Sequence, residues 1–128
     1  MERYSLGFDA GTQSVKVVVY DSDGNCVAES SHPTTINYPG PKMVEMDVDE
    51  YVRVTVQGMA DCTGIMRSKG LDPEGISSVF GDGIICGIAG VDEQGNAITP
   101  FINYLDSRTQ DDADSVNAMG LDIWAQEA

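Results

Sequence analysis

Short apolar runs separated by turn residues dominate the first part of the chain, and they predict three β-strands. The strands are expected at residues 5–8, 17–20 and 26–30. The turns between them fall at residues 10–12 and 21–25, and the second turn, which contains Asp23-Gly24-Asn25, is a strong hairpin signal. Three strands joined by tight turns form a meander.

A helical pattern follows an extended, proline-rich loop at residues 33–41. Asp47 or Asp49 can cap the start of this helix, and Gly70 is expected just past its end. Several of the apolar positions are β-branched, which lowers helix propensity, so burial of one face must stabilise the helix. These positions are Tyr51, Val52, Val54, Val56, Met59, Ala60, Ile65 and Met66.

The second half of the chain predicts strands first and helices last. This order, after the meander and the first helix, predicts an α/β fold with a mixed sheet rather than a doubly wound parallel one. The expected elements are a buried strand at 76–80, an interruption at 81–83, an apolar strand at 84–91, a returning strand at 97–99, an extended stretch at 100–105, a polar helix from Ser107 to Gly120 and a further helix at 121–128.

Composition narrows the classes of partner. The chain has 128 residues, 41% of them hydrophobic, and a formal charge of -14. Such a charge argues against nucleic acid or an anionic membrane as a partner. Any phosphate must therefore be bound by local amides and a metal. Neither an apolar leader nor a membrane-spanning run is visible, and three widely spaced cysteines indicate reduced thiols in a cytoplasmic protein.

The first hairpin carries candidate chemistry. Gly11 lets a ligand approach the main chain closely, and successive amides in such a turn can form a nest for anions. Asp9 would repel phosphate but can hold Mg2+, usually through water. The side chains that can add donors are Thr12, Gln13, Ser14 and Lys16. The alternative is an ordinary hairpin in which Asp9 is a polar strand end. His32, beside Pro33, is expected on the surface.

Three blocks together resemble the N-terminal part of the FGGY carbohydrate kinases, which include xylulose, gluconate and glycerol kinases. The first block is residues 6–16, which alone also resembles actin and Hsp70 chaperones. The second is residues 43–47, and the third runs from residue 76 to 108. The third is the most specific, because it ends in the family's aromatic-x-Asp-x-Arg pattern, here Tyr104, Asp106 and Arg108.

The resemblance implies a ribonuclease-H-like, actin-like ATPase fold, with a mixed sheet and flanking helices. Residues 1–128 would be the N-terminal part of an incomplete first lobe, with the second lobe absent. The implied reaction is transfer of the γ-phosphoryl of ATP to a sugar or polyol hydroxyl with Mg2+. Asp9 would organise the metal, and residues 11–14 and Lys16 would face the phosphates. The family's general base would lie beyond this chain, so the fragment is expected to be inactive.

The same resemblance places the sugar near two segments. One contains Asp82, Gly83, Ile84, Ile85 and Cys86, and the other contains Tyr104, Asp106 and Arg108. Xylulose-kinase-like members read Gly-Gln-Met-His-Gly at 83–87, so the amide and imidazole that could bind hydroxyls are missing here. Asp82 is either a replacement acceptor or a turn residue. Asp106 and Arg108 either frame the pocket, or form a local ion pair or cap the helix beginning at Ser107.

Two readings of function stay open. The first is a piece of a carbohydrate kinase, whose parent could form a homodimer. The second is a non-catalytic binding module that keeps the actin-like lobe, which the altered 84–86 stretch favours.

Overall fold

The computed structural model describes residues 2–120. The elements are β1 (Tyr4–Ala10), β2 (Ser14–Tyr20), β3 (Cys26–Pro33), β4 (Glu45–Met46), α1 (Val48–Ser68), a single 3-10 turn (Pro73–Gly75), β5 (Ile76–Gly83), β6 (Phe101–Ile102) and α2 (Gln110–Ala118). A four-stranded sheet with the order β3-β2-β1-β5 packs against the long helix α1, and β4 and β6 form a separate two-stranded sheet.

The predicted mixed sheet is confirmed. Strands β1, β2 and β3 pair antiparallel as a meander, and β5 pairs parallel to β1. A parallel neighbour requires a crossover connection, and α1 supplies it. The register sets Asp9 of β1 opposite both Lys16 of β2 and Asp82 of β5.

Helix α1 buries one narrow stripe against the meander. The buried helix residues are Val54, Gly58, Cys62 and Met66, which recur every fourth position. Val52 and Val56, expected to be apolar contacts, are instead 56% and 59% exposed. The strand side of this core consists of Tyr4, Leu6, Ala10, Val15, Val17, Val19 and Ala28.

Gly58 brings the helix unusually close to the sheet. A Cβ at this position would lie 2.7 Å from Cγ2 of Val17 and 3.2 Å from Oγ of Ser30. The Ser30 hydroxyl donates to the Gly58 carbonyl at 2.9 Å, so the contact is both packed and hydrogen-bonded. A second helix glycine, Gly64, has nothing within 4 Å of its ideal Cβ position.

The ends of α1 match the sequence signals. The Asp47 carboxylate accepts from the Glu50 amide at 2.9 Å and caps the first turn. Lys69 is the C-cap, and Gly70 follows in a left-handed conformation with φ 75°. Glycine adopts this left-handed conformation readily because it has no Cβ, which explains why the helix ends there.

Strand β3 is longer than predicted, and His32, expected on the surface, is partly covered by α1. The strand continues to Pro33, which is paired with Ser14. His32 is half-buried against α1, where its Nε2 lies 2.7 Å from Oδ2 of Asp61. The cause is a contact between elements, which the local sequence does not encode.

Strand β5 corrects two predictions. The Gly-Asp-Gly segment does not interrupt the strand, which stays paired with β1 through Gly83, and the Phe8 side chain packs over Gly81, where a Cβ would clash. The strand is also not buried. It is the edge of the sheet beyond the reach of α1, and Val79 and Phe80 are 57% and 68% exposed.

The predicted strand at 84–91 does not form. The chain reverses at Ile85 and Cys86, and Cys86 takes a left-handed φ of 61°. Only single bridges follow, from Ile88 to Ile102 and from Val91 to Ala97. The apolar run therefore has no neighbouring strand along its length, whereas the predicted return of residues 97–99 is seen in that second bridge.

The polar helix predicted from Ser107 begins at Gln110, with Thr109 as its N-cap. The helix predicted at 121–128 lies outside the described residues. Within residues 2–120, no helix is both long and apolar enough to cross a membrane.

The packing of α1 predicts opposite effects for its two glycines. Gly58→Ala should lower the free energy of unfolding by roughly 1–3 kcal/mol, because the methyl group overpacks the buried contact with Val17. Gly64→Ala is the matched control and should raise it by up to about 1 kcal/mol through helix propensity alone. Urea unfolding of the two variants measures both changes. Equal effects would contradict the close helix–sheet contact.

Candidate functional site

An open cleft of about 430 Å³ joins the first hairpin to the segment after β6. We call it the hairpin cleft. It brings together six predicted nucleotide-side residues and one predicted sugar-side residue. Its lining is Asp9, Gly11, Thr12, Gln13, Ser14, Lys16, Ile36, Tyr38, Tyr104 and Leu105.

The turn at the base of this cleft is tight. The Gly11 amide donates to the Ser14 carbonyl at 3.1 Å. A Cβ on Gly11 would sit 3.0 Å from that carbonyl oxygen and 3.7 Å from Oδ1 of Asp9. A side chain at this position would therefore crowd the turn, and its absence also lets a ligand approach the main chain.

Three charged residues form a row across the sheet on the face away from α1. Lys16, Asp9 and Asp82 are register partners on β2, β1 and β5. Side chains of paired residues point to the same face, about 4.8 Å apart between neighbouring strands. The three are exposed, and the Asp82 carboxylate accepts from the Gly83 amide at 2.8 Å. Lys16 thus points to the same face as Asp9.

The two carboxylates of this row, those of Asp9 and Asp82, are of the type that binds Mg2+. That ion takes oxygen ligands, keeps several waters and is usually bound by one or two carboxylates together with substrate phosphates. Asp9 offers such a carboxylate at the cleft, and Asp82 lies beside it. Within residues 2–120, no group of three His, Cys, Asp or Glu side chains could hold a metal by itself. The arrangement therefore suits a metal that arrives with a phosphate ligand.

Tyr104 is held at the cleft by its neighbours on both sides. Asn103 is 2% exposed, and its backbone amide donates to the Val44 carbonyl at 3.0 Å. Its side-chain oxygen accepts from the Leu105 amide at 3.0 Å. The Tyr104 side chain is 53% exposed, so it is available to a ligand while its backbone is fixed.

Asp106 and Arg108 form a local ion pair. The Arg108 Nη2 lies 2.7 Å from Oδ2 of Asp106 and 2.6 Å from Oε1 of Glu45. The Asp106 side chain is only 4% exposed, and its Oδ2 also accepts from the Val44 amide at 2.7 Å. Hydrogen bonds from Arg108, joined by the one from Val44, hold the pKa of Asp106 well below its usual range. These two residues fasten the segment that carries Tyr104 rather than line the cleft.

The predicted sugar residues at 82–86 are not part of the hairpin cleft. Asp82 and Gly83 end strand β5 at the edge of the sheet, and the residues after them lie outside the cleft. Of these, Ile85 is 78% exposed and Cys86 is also exposed. Gly87 packs against the ring of Phe101, where a Cβ would clash. The two predicted sugar segments thus do not line the same cleft, although the bridge between Ile88 and Ile102 brings their flanking residues together.

Sequence reasoning missed several residues that shape the site. Ile36 and Tyr38 line the cleft from the loop after β3, and Tyr38 is 68% exposed. Asn103 and Glu45 anchor the Tyr104 segment. An exposed aromatic in a proline-rich loop was the only local signal for Tyr38; the anchors are contacts between distant segments.

Comparisons with known proteins agree on one family. The profile of the FGGY family of carbohydrate kinases, N-terminal domain, matches residues 4–123. The chain is 29% identical over 124 residues to a glycerol kinase of Petrotoga mobilis, covering 95% of this chain and 24% of that protein. The chain thus spans about a quarter of the length of this curated relative.

Solved structures show the same fold. The crystal structure of xylulose kinase from Rhodospirillum rubrum superposes with a TM-score of 0.83 at 22% identity, covering 91% of this chain and 23% of that one. The Plasmodium falciparum glycerol kinase with ADP gives a TM-score of 0.73 at 23% identity, covering 91% of this chain and 23% of that one. At such identities the likeness shows the fold, an incomplete lobe of the actin-like type.

The ion pair predicts a pH dependence that Asp106→Asn should remove. In the unfolded chain this carboxyl takes up a proton near pH 4, whereas the lowered pKa keeps it ionised in the folded chain. Its stabilisation is therefore complete above about pH 4 and is lost as the pH falls further. The difference in melting temperature between the wild type and Asp106→Asn should be positive near neutral pH and shrink below about pH 4.

Thermal unfolding of both proteins across this range measures the effect. Asp112→Asn, on the exposed face of α2, is the matched control and should differ little from the wild type at any pH. If the difference in melting temperature between the wild type and Asp106→Asn stayed constant or grew below about pH 4, this would contradict a stabilising, ionised Asp106.

Proposed function

Because this chain belongs to the FGGY family of carbohydrate kinases, we propose that it forms the nucleotide-facing part of the first lobe of an ATP-dependent carbohydrate kinase. The observation that carries this proposal is the hairpin cleft. It joins the turn at residues 10–14, which we call the phosphate turn, to the carboxylate of Asp9 and the aromatic ring of Tyr104 in a single concavity. The relatives are named as glycerol and xylulose kinases, and one was solved with ADP.

The proposed reaction moves the γ-phosphoryl of ATP to a sugar or polyol hydroxyl. The bond from the γ-phosphorus to the bridging oxygen breaks, a new bond to the hydroxyl oxygen forms, and the hydroxyl proton passes to a general base. Positioning and charge neutralisation do most of the work in such a transfer. When bound, Mg2+ neutralises phosphate charge and orients the phosphates.

Each cleft residue takes a defined role in this reaction. Asp9 would hold the hydrated metal, a role that suits its exposed carboxylate at the cleft. The amides and side chains of residues 11–14 donate to the phosphate end. Lys16 points to the same face as Asp9 and adds positive charge. The general base is supplied from outside residues 1–128.

On the sugar side, Tyr104 forms a wall of the pocket, and its exposed ring suits contact with the carbon face of a sugar. Asp82 accepts a hydrogen bond from a substrate hydroxyl or supports the metal, and its position next to Asp9 in the sheet register supports this assignment. Ile84, Ile85 and Cys86 offer no strong side-chain partner for hydroxyls, so the substrate contacts differ from those of xylulose kinases. Asp106 and Arg108 act on the pocket through the backbone that they fasten.

The proposal treats residues 1–128 as one part of a larger lobe. The exposed edge and faces of β5 leave room for further strands and helices, and the relatives are about four times as long. The 128-residue chain alone is expected to form no sugar phosphate. A cytoplasmic location and a homodimeric parent stay predictions.

A non-catalytic binding module is the second candidate. The observation that favours it is the loss of hydroxyl-binding side chains at residues 84–86. A buried site that binds hydroxyls needs paired donors and acceptors, and unpaired groups are costly.

ADP formation by the natural protein that contains this chain separates the two candidates. With Mg-ATP and a panel of glycerol, xylulose and gluconate, at least one compound should stimulate ADP release. Asp9→Asn should then lower kcat by roughly 10²-fold or more, because the metal loses its charged support.

Asp23→Asn is the matched control. Asp23 is exposed in the β2–β3 turn at the far end of the hairpin, and the variant should retain full activity. Absence of stimulation by any sugar or polyol would favour the binding module. Full activity of Asp9→Asn would remove Asp9 from the proposed mechanism.

A further inference from the structure

Donors from other elements hold the carbonyl groups of the phosphate turn. The Ala10 carbonyl accepts from the Tyr51 hydroxyl of α1. The Thr12 carbonyl accepts from the Thr34 hydroxyl at 2.6 Å, and the Gln13 carbonyl accepts from the Thr34 amide at 3.1 Å. A turn that binds an anion must keep its carbonyl oxygens away from that anion, because their partial charges repel it.

Tyr51, on α1, fixes the Ala10–Gly11 peptide unit of the turn. Its hydroxyl binds the Ala10 carbonyl, and the amide of the same peptide unit, that of Gly11, donates to the Ser14 carbonyl at 3.1 Å. Both ends of one planar peptide are therefore held. Burial and the charge of Asp9 raise the pKa of Tyr51 to about 12, so its hydroxyl stays a donor at neutral pH.

The Tyr51 ring also contacts the sugar side of the molecule. It stacks on Phe101 of β6, with ring centroids 6.3 Å apart and an interplanar angle of 20°. Phe101 in turn packs against Gly87, next to the altered 84–86 stretch. Stacking on Phe101 thus fixes the Tyr51 ring, and its hydroxyl is directed at the Ala10 carbonyl.

Thr34 fixes the Thr12–Gln13 and Gln13–Ser14 peptide units. A trans peptide directs its N–H opposite to its carbonyl, so holding the Thr12 carbonyl sets the direction of the Gln13 amide. This amide is therefore directed away from Thr34, and Gln13 lines the hairpin cleft whereas Thr34 does not. Within residues 2–120, the amides of Thr12 and Gln13 donate to no protein acceptor, although each could serve an anion.

We propose that Tyr51 and Thr34 are positioning residues for phosphate binding. They hold the carbonyls of residues 10, 12 and 13 on the protein side of the turn and leave its amide side to the phosphates of ATP. This inference rests on the proposed kinase function for its ligand, but the geometry that it describes can be tested without turnover.

Two single-group variants test it in the natural protein that contains this chain. Tyr51→Phe keeps the ring stacked on Phe101 and removes only the hydroxyl. Thr34→Val removes the hydroxyl and keeps the backbone amide. Each should raise KM for ATP about fivefold, the effect of losing one typical hydrogen bond, while KM for the sugar changes little. Thr34→Ser restores the donor and should behave as the wild type.

Hydrogen exchange supplies the readout that is independent of activity. The Gly11 amide should exchange faster in Tyr51→Phe than in the wild type, because its peptide plane is then held at one end only. Tyr4→Phe and Thr35→Val are the matched controls. The first loses a hydroxyl bonded to Glu2, the second a hydroxyl bonded to Glu50, and neither touches the turn.

The outcomes separate this inference from the proposed function. Unchanged Gly11 exchange in Tyr51→Phe overturns the positioning role whatever the activity. Faster exchange with an unchanged KM for ATP shows that the turn is held but that holding it does not serve ATP, which also overturns the proposal. A wild-type protein without kinase activity defeats the proposed function, while the exchange experiment still decides whether Tyr51 holds the turn.

Discussion

The close contact of α1 with the β1–β2–β3 meander is the constraint on which the other features depend. Gly58 lets the helix backbone approach Val17 and Ser30, and that approach fixes how far the helix N-terminus lies from the hairpin. Tyr51, about two turns earlier, reaches the Ala10 carbonyl from this position. Strand β4 directly precedes the helix and pairs with β6. One helix end therefore positions both the phosphate turn and the segment that carries Tyr104.

The charge of the chain limits how it can bind an anion. At a formal charge of -14, the protein has no basic field to attract phosphate. The hairpin cleft is lined by one lysine, the residues of the Gly11 turn and the carboxylate residue Asp9. Short-range donors and a divalent cation are what such a site needs, because they act over a few ångströms and do not depend on the net charge. This explains why the arrangement of the turn matters more here than the number of basic residues.

The sequence predicted the features that local chemistry controls. The hairpins, the Asp47 cap and the end of α1 at Gly70 follow from signals within a few residues. The sequence-based prediction failed where contacts with distant residues determine the structure. Phe8 packs over Gly81 in the continuous strand β5, Asp61 contacts His32, and residues 84–91 lack a partner strand. In the site, the residue types of the hairpin were recognisable. The roles of Tyr51, Thr34 and Glu45 were not, because each depends on a contact between elements far apart in the chain.

A crystal structure of the natural protein that contains this chain, with Mg2+ and a non-hydrolysable ATP analogue, tests the central claim most directly. The account predicts the terminal phosphates at hydrogen-bond distance from the amides of Thr12 and Gln13, with the metal's waters bonded to Asp9. It also predicts that the Ala10 and Thr12 carbonyls still face Tyr51 and Thr34. A nucleotide bound away from this hairpin, or a turn whose carbonyls face the phosphates, would contradict it.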